Sequence, residues 1–151
     1  MVTAVSGGAR SHDYVLRRLE PTGRQALTIP LLAVPSALAA VRERVALHCA
    51  AWGSRGLGDI AALCVSELVT NVIVHVGEGA PVSVRLSWTG GGHARLAVTD
   101  PAPGAVPVRQ DAAGPDAESG RGIALVDALA ARWGVERHAC AKTVWCELAE
   151  P

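Results

Sequence analysis

Glu67, Asn71 and His75 lie four residues apart in the stretch IAALCVSELVTNVIVHV, residues 60–76. On a helix that spacing stacks side chains on one stripe. A carboxylate and an amide oxygen one turn apart suit a hard cation and a water or hydroxyl nucleophile. The plainer alternative is a solvated helix face, but such faces mix Lys, Arg and Glu. This stretch holds one carboxylate and no Lys or Arg, and Asn71 is the only asparagine in the chain. Asparagine is also a mediocre helix former. With the rest of the stretch nearly all apolar, the stripe is expected to face an internal cleft.

Two more groups carry chemical promise. Asp100 alternates in step with Leu96 and Val98, so it shares their face of a strand. An acid at a strand end before Pro101 is often only a turn cap. At the edge of an apolar pocket it instead needs a partner, such as the amino group of adenine. Gly104 follows in a loop where backbone can approach a ligand closely. Ser119-Gly120-Arg121-Gly122 precedes a helical pattern. Free N–H groups and the helix dipole at such a start favour an anion. The run matches neither the P-loop nor the GxGxxG fingerprint.

These groups need elements to position them. Leu27, Ile29 and Leu31 alternate as a short strand. Pro35 opens a helix with Leu38, Val41, Val45, Cys49 and Trp52 on one face, and Gly53 closes it. Asp59 is the expected N-cap of the Glu67 stretch. The β-branched end of that stretch, VIVHV, also suits a strand; its length and Ala/Leu-rich start favour helix. Val82, Val84, Leu86 and Trp88, the turn TGGGH, and Leu96, Val98 and Asp100 form a hairpin. Residues 101–120 hold almost no large apolar group, the composition of a lid or a disordered segment. From Gly122 a helix places Ile123, Val126, Ala130 and Trp133 on one face, with Gly134 as its stop. Val144, Cys146 and Leu148 mark a last strand. Residues 1–24 show no periodicity and are expected to be a flexible tail, leaving 25–151 as one domain. The order predicts an α+β layer with helices on one face of the sheet.

Composition narrows the function classes. Half of the 151 residues are apolar, enough for one core. Fourteen basic and fourteen acidic residues balance to zero net charge, without the basic excess of a broad nucleic-acid or membrane-surface footprint. Lys142 is the only lysine. Cys49, Cys64, Cys140 and Cys146 form no C-x-x-C pair, so they are expected to be reduced and structural. No signal segment is evident, and no apolar run is expected to reach the length of a membrane span. The expectation is a cytoplasmic protein that binds neither nucleic acid directly nor membrane.

In this order the motifs resemble those of the GHKL, or histidine-kinase-like, ATPases. VSELVTNVIVHV is similar to the N box, DPAPG to the first glycine box, ESGRGIALVDALAARWGV to the second, and AKTVWCEL to the terminal Thr-containing strand. Within that superfamily the chain most resembles the bacterial anti-sigma serine/threonine kinases. The resemblance implies a Bergerat fold: a two-layer α/β sandwich, with a mixed sheet covered on one face by helices. It implies ATP and Mg²⁺ as cofactors. Glu67 would be the catalytic base and Asn71 the metal ligand. Asp100 would bind the adenine amino group with Gly104 close by, Gly120, Arg121 and Gly122 would meet the phosphates, and Thr143 would lie near the adenine. His75 falls on a common family position without an assigned role. The implied partner is an anti-anti-sigma (STAS-type) protein, a sigma factor or both, with a homodimer usual in the family. Two positions depart from the pattern: Ala102 replaces the first glycine of Asp-x-Gly-x-Gly, and Ala141 the glycine before Lys142-Thr143. Those departures favour an alternative, a non-catalytic module that captures a partner.

Overall fold

The computed structural model describes residues 24–104 and 117–151, with the helical backbone alone over 117–122. The expected tail therefore lies outside the described residues except for Arg24, and so do residues 105–116 of the expected lid.

Five strands and three helices follow one another: β1 (Leu27–Leu32), α1 (Leu38–Ala51), α2 (Arg55–His75), β2 (Pro81–Gly90), β3 (His93–Asp100), α3 (Ala117–Leu129), β4 (Arg132–Arg137) and β5 (Lys142–Ala149). A short 3₁₀ turn, Pro35–Ala37, leads into α1. The sheet order is β1-β2-β3-β5-β4. Every pairing is antiparallel, where a mixed sheet was expected. The two-layer α+β sandwich is as expected.

Alternation along the strands sets the two faces. Val82, Val84, Leu86 and Trp88 of β2 are buried, as are Leu96 and Val98 of β3 and Val144, Cys146 and Leu148 of β5. The intervening residues, Ser83, Arg85, Ser87, Arg95, Thr99 and Thr143, line a depression on the opposite, open face. Helix α2 lies over the buried face. It packs between α1 and α3 and touches β3 and β5. Leu57, Ala61, Cys64, Val65, Leu68, Val69 and Val72 give it a buried stripe. Full burial of each such Leu or Val favours folding by ~1.5–3 kcal/mol, so packing holds VIVHV in a helix against its local strand preference.

By length and composition α2 could cross a membrane, with 21 residues at a mean hydropathy of 1.7. This corrects the expectation that no apolar run reaches that length. Its apolar side is spent in the core instead, and exposed Asp59 lies on its other side. The expected cap is corrected as well. Helix α2 begins four residues before Asp59, at Arg55, because Ser54 Oγ accepts the Leu57 N–H at 3.2 Å. Gly58 brings the two helices close, since a Cβ there would sit 2.9 Å from the Ala46 carbonyl oxygen.

The end of the chain differs from expectation in two places. Helix α3 begins at Ala117 rather than Gly122, extended by the strong helix formers Ala117 and Glu118. It ends at Leu129, so Gly134 is not its stop but sits within β4. A Cβ at Gly134 would come within 2.9 Å of the Trp145 ring. The glycine there makes room for an indole across the strand pair.

Candidate active site

Three elements meet at one pocket. Helix α2 brings Leu68, Asn71, Val72 and His75, β3 brings Val98 and Asp100, and β5 brings Lys142 and Val144. The i, i+3, i+4 and i+7 spacing of the α2 residues is one helix stripe. Asp100 and Lys142 face each other because β3 and β5 pair in that register. Four aliphatic side chains, Leu68, Val72, Val98 and Val144, share the lining with four polar ones, Asn71, His75, Asp100 and Lys142. The cavity volume is about 10 Å³, room for about one water.

Asn71 lies in the pocket lining. Its Nδ2 is buried and has no hydrogen-bond partner among the described residues. An unpaired buried amide costs ~1–3 kcal/mol, a penalty that a ligand in the pocket can lift. Rotation of the amide by half a turn exchanges its donor and its acceptor, so the same position can offer oxygen to a cation. Among the described residues no group of three or more His, Cys, Asp or Glu could hold a metal ion. An ion at Asn71 would take most of its ligands from phosphate and water, the usual habit of Mg²⁺.

Asp100 is 2% exposed. Its Oδ1 accepts the Ala102 N–H at 2.8 Å, and its Oδ2 accepts from Lys142 Nζ at 2.7 Å. Lys142 is 3% exposed and also donates to the Ala102 carbonyl at 3.3 Å. Sequence reasoning missed Lys142 as a site residue. The available signal was its status as the only lysine, in step with Val144, Cys146 and Leu148 on the buried face of β5.

The remaining expected site residues are placed differently. Glu67 is half-buried one turn before Asn71, outside the pocket lining, and makes no hydrogen bond or ion pair among the described residues. His75 is exposed at the rim. Gly104 is exposed, and a Cβ there would meet nothing within 4 Å, so packing does not require the glycine. Gly120, Arg121 and Gly122 lie inside the first two turns of α3 rather than ahead of it; their side-chain surroundings lie outside the described residues. Thr143 is not brought to the pocket. It points to the open face, where its hydroxyl meets Thr99 Oγ1 at 2.8 Å and His138 Nε2 at 3.3 Å.

Three cysteines are buried and free, and Cys140 is exposed. Cys64 lies beneath Glu67 on α2 and shares a thiol hydrogen bond with Cys146. That bond lowers Cys64 from the usual thiol value and, with burial, raises Cys146. Burial pushes Cys49 up to about 11. None of these buried thiols is a ready nucleophile.

A domain described as the histidine kinase-like ATPase domain matches residues 31–146. The chain belongs to the histidine kinase-like ATPase family. Members of this family bind ATP, typically with Mg²⁺, and the match spans every residue that lines the pocket. An uncharacterised protein of Streptomyces coelicolor is 48% identical over 85 residues, covering 56% of this chain and 81% of that protein. The structure of the RsbU and RsbW domains of Rv1364c from Mycobacterium tuberculosis aligns with a TM-score of 0.61 at 22% identity. It covers 83% of this chain, which spans only 33% of that longer one. At that identity the likeness concerns the fold of this ATPase-family chain, not its substrate.

Proposed function

We propose that the chain binds ATP and Mg²⁺ in the α2–β3–β5 pocket and transfers the γ-phosphoryl group to a serine or threonine of a small anti-anti-sigma protein in the cytoplasm. Sequestration of a sigma factor, and a homodimer as the working form, belong to the same proposal. The observation that carries it is the buried Asn71 Nδ2, without a partner among the described residues, in the lining of a pocket that also holds the buried Asp100 carboxylate.

The roles follow from chemistry. Mg²⁺ neutralises the charge of the transferring phosphate. Asn71 offers its amide oxygen to that ion. Asp100 keeps lone-pair capacity for an amino group, since an ionised carboxylate has about four acceptor sites. Leu68, Val72, Val98 and Val144 cover the faces of the base. Glu67 accepts the proton of the attacking hydroxyl as its oxygen bonds phosphorus. The bond to the β-phosphate oxygen breaks and ADP leaves.

A second reading is a partner-binding module without catalysis. Lys142 and the Ala102 N–H already occupy both Asp100 oxygens, which favours it. Labelled ATP and a panel of anti-anti-sigma proteins separate the two. Wild type is expected to transfer label, and Glu67→Ala to bind ATP nearly normally while transferring ~10²–10⁴-fold more slowly. Full transfer by Glu67→Ala removes the catalytic role. Tight partner binding by wild type with no transfer to any partner selects the second reading.

A further inference from the structure

Lys142 is a buried cation inside an otherwise apolar wall. Its side chain is 4% exposed and that of Asp100 is 1% exposed. Burying such a pair brings little net stability, because desolvation offsets the attraction and an apolar pair of similar volume often does as well. Its position matters more. Both side chains line the pocket beside Leu68, Val72, Val98 and Val144.

The hydrogen-bond capacity of the pair is only partly used. An ammonium has three donors. Lys142 gives one to Asp100 Oδ2 at 2.7 Å and one to the Ala102 carbonyl at 3.3 Å. The third has no partner among the described residues. Asp100 is fixed through Oδ1 by the Ala102 N–H at 2.8 Å, and its Oδ2 retains a free lone pair. The pocket lining therefore includes a charged donor and a charged acceptor in contact, both anchored to the backbone of Ala102.

A carboxylate alone would read one chemistry. It accepts from an amino group and repels a keto oxygen. The Asp100–Lys142 pair matches two. A 6-amino purine edge offers its amino N–H to Asp100. A 6-oxo purine edge offers its keto oxygen to Lys142 and its ring N–H to Asp100. Lysine contacts to the O6 and N7 acceptors of guanine are a common mode of recognition.

We propose that Lys142 is a specificity-determining residue that opens the base subsite to 6-oxo purine nucleotides, with guanine or hypoxanthine, alongside adenine. This rests on the nucleotide reading of the same pocket. Lys142 supplies the donor that a keto group needs, and Asp100 serves either base.

Calorimetric titration of the full chain with ADP, GDP and IDP in Mg²⁺ tests it. Wild type is expected to bind GDP and IDP within ~10-fold of ADP. Lys142→Met should weaken GDP and IDP ~10- to 100-fold more than it weakens ADP, the usual worth of one good base contact. Lys142→Arg keeps a donor and should keep GDP. If Lys142→Met does not fold, the wild-type ratio and Lys142→Arg still decide. Wild type that binds ADP but discriminates against GDP by more than ~100-fold overturns the proposal. So does Lys142→Met that weakens all three nucleotides equally, since that is loss of structure and not of recognition. Wild type that binds none of the three overturns the nucleotide reading itself.

Discussion

Replacing Lys142 by methionine removes an ammonium from a buried contact with Asp100. The Nζ–Oδ2 distance is 2.7 Å, and the two side chains are 4% and 1% exposed. The variant leaves Asp100 with one backbone donor, the Ala102 N–H. Breaking a buried pair from one side destabilises by ~3–5 kcal/mol, because the remaining charge stays buried. At ~2–4 °C per kcal/mol for a domain near this size, the unfolding midpoint should fall by roughly 6–20 °C. The double variant Asp100→Asn, Lys142→Met leaves no uncompensated charge and should recover most of that loss. Urea denaturation followed by circular dichroism measures both at equal slope. A loss below ~1 kcal/mol for Lys142→Met is the value of a surface ion pair. That result would refute the claim that the pair is sealed inside the pocket.

Two further substitutions test how α2 is held. Ser54→Ala should cost about 1 kcal/mol in the same denaturation assay, whereas Asp59→Ala should leave the midpoint nearly unchanged; the reverse order would restore Asp59 as the cap. Gly58→Ala should destabilise by ~1–3 kcal/mol through overpacking against Ala46, despite alanine's better helix propensity. A stabilised Gly58→Ala would mean that the two helices separate at no cost.

Much of the site was legible because its residues were anomalous for their places. A lone asparagine on an apolar helix and an acid in step with inward-facing strand residues both identified pocket-lining positions, Asn71 and Asp100. The hairpin and both long helices followed from periodicity. What the sequence concealed was decided by packing across distance. Gly134 reads locally as a helix stop, and only the Trp145 ring pressed against it explains a glycine inside a strand. Thr143 sits in a family-like motif, yet strand register turns it to the open face and turns Lys142 inward. Register is set by pairing partners more than forty residues away, and a one-residue step exchanges the faces. Ser54 was overlooked because the four residues it caps, Arg55-Gly56-Leu57-Gly58, carry two glycines and read as a turn.

Binding of Mg²⁺ and ATP, measured by calorimetry on wild type and Asn71→Ala, tests the central claim most directly. Asn71 Nδ2 is the one buried side-chain nitrogen or oxygen without a hydrogen-bond partner among the described residues, and Asn71 lines the pocket. Removing it eliminates an unsatisfied donor, so Asn71→Ala should fold at least as well as wild type. It should also lose the Mg²⁺-dependent part of ATP affinity, because no cluster of other metal-binding groups stands beside it among the described residues. Wild type that binds Mg²⁺ and ATP, paired with a folded Asn71→Ala that no longer responds to Mg²⁺, is the result expected. A folded Asn71→Ala with unchanged affinity in the presence of Mg²⁺ would contradict the assignment of this pocket as the nucleotide site.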